Sequence, residues 1–199
     1  MRTVGEAIAY IIMIDKKTIE KSVKDFLIAI GEDPEREGLK DTPRRVAKMA
    51  EELFSGVGVD PKGELKCYTT KNEDEMILIR DIPFYSICEH HLLPFIGKVH
   101  LAYIPDENRI TGYSSLVRLV EVMAKRPQLQ ERLTTDIAEL IMETLKPKGV
   151  LVVIEAQHLC MAMRGVKKPG HIAVTSAMRG IMRKPATRAE AFSLIKNAR

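Results

Sequence analysis

The tetrapeptide "CEHH", residues 88 to 91, concentrates side chains that bind metals or transfer protons. The whole chain has only three cysteines and five histidines, so these residue types are scarce elsewhere. A second group, His158 and Cys160, lies two positions apart in "EAQHLCMAM". If that segment is extended, both side chains point to the same face of a strand. Thiolates and imidazoles together are ligands that suit zinc, so we predict a zinc site built from both groups.

The number of ligands decides what kind of zinc site this is. If Cys88, His91, His158 and Cys160 all bind, the site is closed and structural, whereas three ligands leave a fourth position open to water and chemistry. Spacing alone leaves both open, although the surplus Glu89 and His90 favour a working site. Either group taken singly also fits buried thiols and hydrogen-bonded histidines without a metal.

The surrounding pattern predicts the elements that must position these residues. Residues 15 to 57 are predicted to be helical, with Asp15 as an N-cap and Pro43 in the first turn of a second helix. Apolar and β-branched runs predict strands, and apolar positions at helical spacing predict helices. After the helical arm we predict, in order, strands at 75–87 and 98–105, helices at 114–125 and 127–146, strands at 149–163 and 171–180, and a helix at 187–198. Strands joined pairwise through turns indicate antiparallel pairing and an α+β fold.

Composition narrows the class of protein. The 199 residues are 45% apolar and 29% charged, with a net charge of +4, which is typical of a soluble globular protein. The basic excess is mild, and a pocket for an anionic small molecule explains it as well as a nucleic-acid surface does. No run of interleaved aromatic and basic residues favours nucleic acid. Three sparse cysteines indicate reduced thiols and a cytoplasmic protein. The apolar start of the chain is too short to span a membrane and is predicted to be an additional helix.

Several segments together resemble the GTP cyclohydrolase I family. They are "CEHHLLPFIGKVHLAYIP", "RPQLQERLT", "HLCMAMRGV" and "TSAMRG", and the likeness extends over about residues 16 to 196. The resemblance implies a tunnelling fold, an antiparallel sheet with helices packed on one face. It implies an N-terminal helical region at 1–60 and a catalytic domain at 61–199.

The same resemblance implies an activity and an assembly. The family converts GTP to 7,8-dihydroneopterin triphosphate and formate, the first step of pterin and tetrahydrofolate synthesis. It implies a toroidal homo-oligomer, a decamer, with active sites at subunit boundaries, and it leaves allosteric control open. No nucleic-acid or membrane partner is expected.

Carried over by position, the resemblance implies that Cys88, His91 and Cys160 bind Zn²⁺ and that His158 is a free acid or base. Guanine C8 is a poor electrophile, so its hydrolysis needs a strong nucleophile and protonation of the ring. Zinc lowers the pKa of a bound water to about 7 and so supplies that nucleophile. His158 would protonate the base and His90 would assist later proton transfers, each role typically worth ~10²–10⁴-fold.

The resemblance also implies a set of substrate contacts. Glu131 would read guanine through its N1–H and exocyclic amine, and Gln130 would support the base. The triphosphate would be bound by Ser114, Arg118 and Arg164, with Arg45 as a weaker candidate. Without the family, Glu131 would be an exposed carboxylate paired with Arg132 or a neighbour one turn away, and Arg45 a solvated helix residue.

One position departs from the family pattern. In "TGYSSLVR" Ser115 stands where the family has lysine, which removes one ammonium from the expected triphosphate pocket. Either another lysine compensates or the preferred substrate differs from GTP. Two other hypotheses therefore stay open: a tunnelling-fold purine-binding enzyme with another substrate, such as a nitrile reductase, and a non-catalytic, zinc-stabilised assembly protein.

Overall fold

The structure is a computed structural model that describes residues 14–71 and 73–196. The chain divides into two compact units, Met1–Val59 and Asp60–Arg199. The helix predicted at the start of the chain falls on residues 1–13, which lie outside the described residues. Among the helices that are described, none is long and apolar enough to cross a membrane.

The first unit contains two helices, α1 (Lys16–Ala29) and α2 (Thr42–Leu53). The predicted cap at Asp15 is present, since its carboxylate accepts a hydrogen bond from the Thr18 amide at 3.1 Å. Pro43 lies in the first turn of α2, where a missing N–H costs nothing. The two helices therefore lie where the pattern indicated, but they cover only part of the predicted range 15–57.

The second unit is built on a five-stranded sheet in the order β5-β2-β3-β6-β7. The pairs β2–β3, β3–β6 and β6–β7 are antiparallel, and the short β5 pairs with β2 in parallel. Two further strands, β1 and β4, form a separate antiparallel pair. The bounds in chain order are β1 (Cys67–Thr69), β2 (Ile77–Cys88), β3 (Pro94–Ile104), β4 (Arg109–Thr111), α3 (Tyr113–Ala124), β5 (Pro127–Gln128), α4 (Gln130–Leu145), β6 (Gly149–His158), α5 (Leu159–Ala162), β7 (Ala173–Gly180) and α6 (Pro185–Lys196).

The main core lies between the sheet and helices α3 and α4. Alternate residues of β3 and β6, such as Tyr103 and Val152, point into it, as the two-residue repeat of a strand requires. The intervening residues face a smaller apolar cluster on the other side of the sheet, which α6 covers through Ala191 and Ile195. The predicted α+β class with an antiparallel sheet is confirmed. The prediction put helices on one face of the sheet, and the structure also has α6 on the other face.

Several predicted element boundaries beside the chemistry-bearing residues are wrong. Strand β3 begins at Pro94 rather than at residue 98. Pro127 and Gln128 belong to β5 rather than to the helix, so α4 begins at Gln130. Strand β6 ends at His158 instead of continuing to residue 163, because β3 begins at Pro94 and Phe95 is the last partner opposite it. Residues beyond His158 have no strand to pair with and form the helical turn α5.

Strands β3 and β6 approach closely at Gly97, which pairs with Ala156. A Cβ atom at Gly97 would lie 1.9 Å from the carbonyl oxygen of Glu155. Only glycine avoids this overlap with rigid backbone. Two residues further along the same strands, Phe95 lies opposite His158, so the close approach fixes the spacing of the strands that carry the site.

Candidate metal and substrate site

The three predicted zinc ligands lie together in the folded chain. Cys88 ends β2, His91 lies in the turn that follows, and Cys160 lies in α5. Their ligand atoms are all within 4.8 Å of one another, and the two sulfur atoms are 4.0 Å apart. Residues 72 positions apart in sequence are thus brought to one point by the pairing of β2, β3 and β6.

A tight turn holds His91 beside Cys88. The Cys88 amide donates to the Leu93 carbonyl and the Leu92 amide donates to the Cys88 carbonyl, both at 2.9 Å. Leu92 takes a φ of 52°, in the left-handed region, to close this turn. The hairpin between β2 and β3 therefore presents the imidazole and the thiol on the same side.

Cys160 reaches the site from a helical turn rather than from a strand. The expectation that His158 and Cys160 share one strand face is wrong, because β6 ends at His158. The change of direction at α5 sends the Cys160 thiol to Cys88 while His158 stays at the strand end. The two side chains are still neighbours, but they are held by different elements.

The geometry and chemistry of the three ligands fit zinc. Two sulfurs bound tetrahedrally at ~2.3 Å from one ion lie about 3.8 Å apart, close to the 4.0 Å observed. Burial, followed by the adjacent Cys88 thiol, raises the pKa of the Cys160 thiol above its usual value. A divalent cation between the two sulfurs would reverse this effect by stabilising both thiolates.

His158 lies beside these ligands in a fixed orientation. Its ring stacks on Phe95, with the centroids 4.8 Å apart and the planes 2° from parallel. Its Nε2 lies 2.8 Å from Oε1 of Gln130. Burial, with a smaller contribution from His171, lowers the pKa of His158, while Glu131 opposes the shift. These surroundings favour the neutral imidazole.

His171 is a neighbour of this site that the sequence did not suggest. The β6–β7 register ends at Ala156 opposite Ala173, and two more steps place His158 opposite His171. Its Nδ1 donates to the Lys168 carbonyl at 2.5 Å, and Nε2 is buried with no hydrogen-bond partner among the described residues. Only knowledge of the strand register would have paired the two histidines in advance.

Gln130 and Glu131 begin α4 and have opposite environments. Gln130 is 2% exposed and its side chain points to the sheet, where it contacts His158. Glu131 is exposed, and its carboxylate is close enough to His158 to affect that pKa. Glu131 is therefore the exposed neighbour of His158 and Gln130 the buried one.

Arg132 pairs with Glu89, the carboxylate of the "CEHH" segment, and not with Glu131. Its two guanidinium nitrogens donate to the two carboxylate oxygens at 2.6 and 3.0 Å, a bidentate geometry. The hydrogen bond from Arg132 lowers the pKa of Glu89. This pair fastens the ligand-bearing turn to the start of α4 and leaves Glu131 available to a ligand.

Two of the phosphate-binding candidates, Ser114 and Arg118, belong to α3 and lie apart from the candidate ligands within one chain. Ala124, at the end of α3, accepts a hydrogen bond from Ser86 of β2 at 2.7 Å, so that end of the helix lies near Cys88. Ser114 is ten residues back along α3 (124 − 114), or about 15 Å at 1.5 Å per residue. Arg118 pairs with Glu64 at 3.1 Å.

The remaining candidates have separate surroundings. Ser115 is 3% exposed, and its hydroxyl accepts from Arg118 at 3.4 Å. Arg164 follows α5 and is close enough to Cys160 to lower its pKa against the larger opposing effects. Arg45 belongs to the first unit, where its guanidinium lies 3.6 Å from Asp41.

The fold and the site define an α+β protein with a cysteine–histidine group that could hold a metal ion and a part-buried histidine beside it. Comparison with known sequences agrees, since the family described as GTP cyclohydrolase I matches residues 19–196. GTP cyclohydrolase 1 of Carboxydothermus hydrogenoformans is 62% identical over 92% of this chain and 96% of its own length. The Pelotomaculum thermopropionicum enzyme of the same name is 63% identical over 92% of this chain and 98% of its own.

The chain belongs to the GTP cyclohydrolase I family, and its antiparallel sheet with α3 and α4 on one face is the tunnelling fold. A solved structure of an archaeosine synthase QueF-like protein overlaps part of it, at 18% identity and a TM-score of 0.43. That overlap covers 56% of this chain and 97% of the other.

Proposed function

We propose that this protein is a zinc-dependent hydrolase that converts GTP to 7,8-dihydroneopterin triphosphate and formate. The observation that carries the proposal is that a group of metal-ligand side chains and a histidine outside that group lie next to each other. Cys88, His91 and Cys160 form a three-ligand group, while His158 is held by other partners and left for proton transfer. Three protein ligands and an open position are typical of catalytic zinc.

When bound by Cys88, His91 and Cys160, zinc would supply a water-derived nucleophile at neutral pH. The chain's own groups then have to move protons. His158, whose buried surroundings lower its pKa and favour the neutral form, can accept the proton that the attacking water loses and return it to the guanine ring. His90 adjoins the ligand His91, with ring centroids 6.2 Å apart, and is proposed to assist proton transfers as the ring opens.

We propose Glu131 as the group that recognises guanine. A carboxylate can accept from both N1–H and the exocyclic amine, a donor pair that adenine does not offer. The pairing of Arg132 with Glu89 supports this role, because it removes the nearest competing cation from Glu131. Gln130 is buried behind Glu131 and would act on the base through its neighbours.

We also propose that the complete site needs a second copy of the chain. Ser114 lies at the end of α3 away from the ligands, and Arg118 lies midway along the helix, paired with Glu64. These two side chains are proposed to meet the triphosphate of a nucleotide held by the ligand group of a second copy. Strand β7 is an edge of the sheet and carries the exposed apolar side chain of Val174, which suits pairing with another copy. A toroidal homo-oligomer, a decamer by family resemblance, would pair the edge strands of neighbouring copies and bring α3 of one copy to the ligands of another.

Within that assembly, residues 61–199 are proposed as the catalytic domain and residues 1–60 as a helical region that contributes Arg45. The three free thiols support a cytoplasmic location, where zinc-binding cysteines stay reduced. Arg164 and Arg118 are proposed to bind the triphosphate, for which planar guanidinium groups are well suited.

The direct test is to incubate zinc-loaded protein with GTP and to follow formate release together with the absorbance of the pterin product. Both should appear in equal amounts and depend on zinc. Chelator-treated protein is the control, and added zinc should restore its activity. Formate without pterin, or neither product, would rule the proposed reaction out for this chain.

Glu131→Gln is expected to lower kcat/KM for GTP by roughly 10²-fold and to leave zinc content unchanged. The amide replaces one accepting oxygen with a donor facing a guanine donor, and a hydrogen bond to a charged group is worth about 1.5–3 kcal/mol. Steady-state kinetics and elemental analysis measure the two quantities. Glu143→Gln is the matched control, because this carboxylate is also exposed on α4 and pairs with Lys62. Equal kinetics for the two variants would remove Glu131 from the binding site.

A further inference from the structure

The side chain of Gln130 is held in one orientation by backbone groups of two strands. Its Nε2 lies 3.0 Å from the carbonyl oxygen of Ile154 and 3.1 Å from that of Ala173. A carbonyl oxygen can only accept, so both contacts require the NH₂ group at this position. The amide oxygen of Gln130 must therefore be the atom that faces His158.

Two threonine hydroxyls support the same assignment. Thr134 donates from Oγ1 to the backbone carbonyl oxygen of Gln130 at 2.6 Å, because a carbonyl oxygen can only accept. Thr175 must then donate to Thr134 across 2.6 Å, which leaves Thr175 as an acceptor for Nε2 of Gln130 at 3.1 Å. Each hydroxyl proton then has one acceptor, and the two N–H protons of Gln130 are shared among the carbonyls of Ile154 and Ala173 and the hydroxyl of Thr175. A reversed Gln130 amide would set its oxygen against both carbonyl oxygens.

This arrangement fixes which nitrogen of His158 carries a proton. Since Oε1 of Gln130 only accepts, the contact of 2.8 Å requires a proton on Nε2 of His158. A neutral imidazole has one protonated nitrogen, so Nδ1 carries the free lone pair. Stacking on Phe95 sets the plane of the ring, and the bond to Gln130 sets its rotation within that plane.

We infer that Gln130 is a positioning residue that locks His158 in the Nε2–H tautomer, so that Nδ1 is the atom that exchanges protons with the substrate. The identity of the substrate in this inference rests on the proposed function, whereas the tautomer of His158 follows from the hydrogen bonds alone. It differs from the expectation that Gln130 supports the base directly, because its amide is buried and committed to the protein. A histidine held in the wrong tautomer loses most of its value as a proton-transfer group, as serine protease variants illustrate.

The tautomer can be measured in the protein as it is purified. The chain has five histidines, so ¹⁵N-histidine labelling and solid-state NMR of the sedimented protein give few signals. The His158 signals are identified by their absence in a His158→Asn variant. At a pH above neutrality we expect Nε2 of His158 to show the shift of a protonated nitrogen and Nδ1 that of an unprotonated one. The reverse pattern in the wild-type protein would overturn the inference.

Gln130→Met tests the cause of that pattern. Methionine fills similar volume without an acceptor oxygen, so His158 should show both tautomers, and kcat should fall roughly 10²-fold with a much smaller change in KM. A residue that bound substrate directly would raise KM instead.

Gln128→Met is the matched control. Gln128 is equally buried, two residues away, and its Nε2 donates to the Met123 carbonyl at 2.9 Å without contacting His158. The control should keep the wild-type tautomer and kcat.

An unchanged tautomer in Gln130→Met, or equal kinetic losses in both variants, would reduce Gln130 to a structural role. A wild-type protein with the expected tautomer but no GTP turnover would contradict the proposed function alone. If Gln130→Met does not fold, the wild-type tautomer still decides the inference.

Discussion

Replacing Cys160 with alanine is expected to remove zinc from the protein and to abolish GTP turnover. The loss of one thiolate leaves only Cys88 and His91, too few ligands to retain the ion at ordinary concentrations. Cys88→Ala should behave in the same way, because the two sulfurs are equivalent partners 4.0 Å apart. Elemental analysis of the purified variants measures the zinc, and the formate assay measures turnover.

Cys67→Ala provides the control for thiol replacement. Cys67 is an exposed free cysteine at the start of β1 and is not part of the ligand group. It should keep about one zinc per chain and wild-type activity. Full zinc occupancy in both Cys88→Ala and Cys160→Ala would show that the ion, if present, is bound elsewhere.

His158→Ala is expected to keep its zinc and to lose ~10²–10⁴-fold in kcat, the usual value of a positioned proton-transfer group. The expectation follows from the contacts of His158, which are to Gln130 and Phe95 rather than to the two sulfurs. Zinc content and kcat are measured on the same sample of His158→Ala, because retained zinc shows that the site is still folded. If the variant loses its metal, the group has four ligands, and the catalytic assignment fails with it.

The group of candidate ligands was predictable because its residue types are rare and chemically distinctive, whereas the family resemblance was needed to set His158 apart from the other three. "CEHH" and "HLC" stand out in a chain with few cysteines and histidines, and no knowledge of the fold was needed to group them. The antiparallel core was predictable for a related reason, since β2, β3 and β6 are long apolar runs separated by turn residues. Short elements were missed: β1, β4 and β5 have two or three residues each, too few for a periodic pattern.

The surroundings of His158 could not be predicted, because they depend on register and not on composition. Gln130 reaches carbonyl groups 24 and 43 residues away, and each contact requires α4 to lie across the ends of β6 and β7. His171 affects the pKa of His158 because the antiparallel pairing of β6 with β7 brings the two chain segments together. The pairing of Arg132 with Glu89, 43 residues away, is equally invisible in the sequence. Such side chains are polar and unremarkable until tertiary structure selects their partners.

The close approach at Gly97 has a consequence for how sequence variants of this protein are interpreted. A genetic screen for inactive protein should recover substitutions at Gly97 even though no reacting group is changed, because every side chain meets the Glu155 carbonyl. Such alleles would encode all of the proposed zinc ligands and both proposed proton-transfer histidines, and motif inspection would classify them as functional. Their defect would be a shortage of folded protein, visible as low abundance and rescued in part by growth at lower temperature.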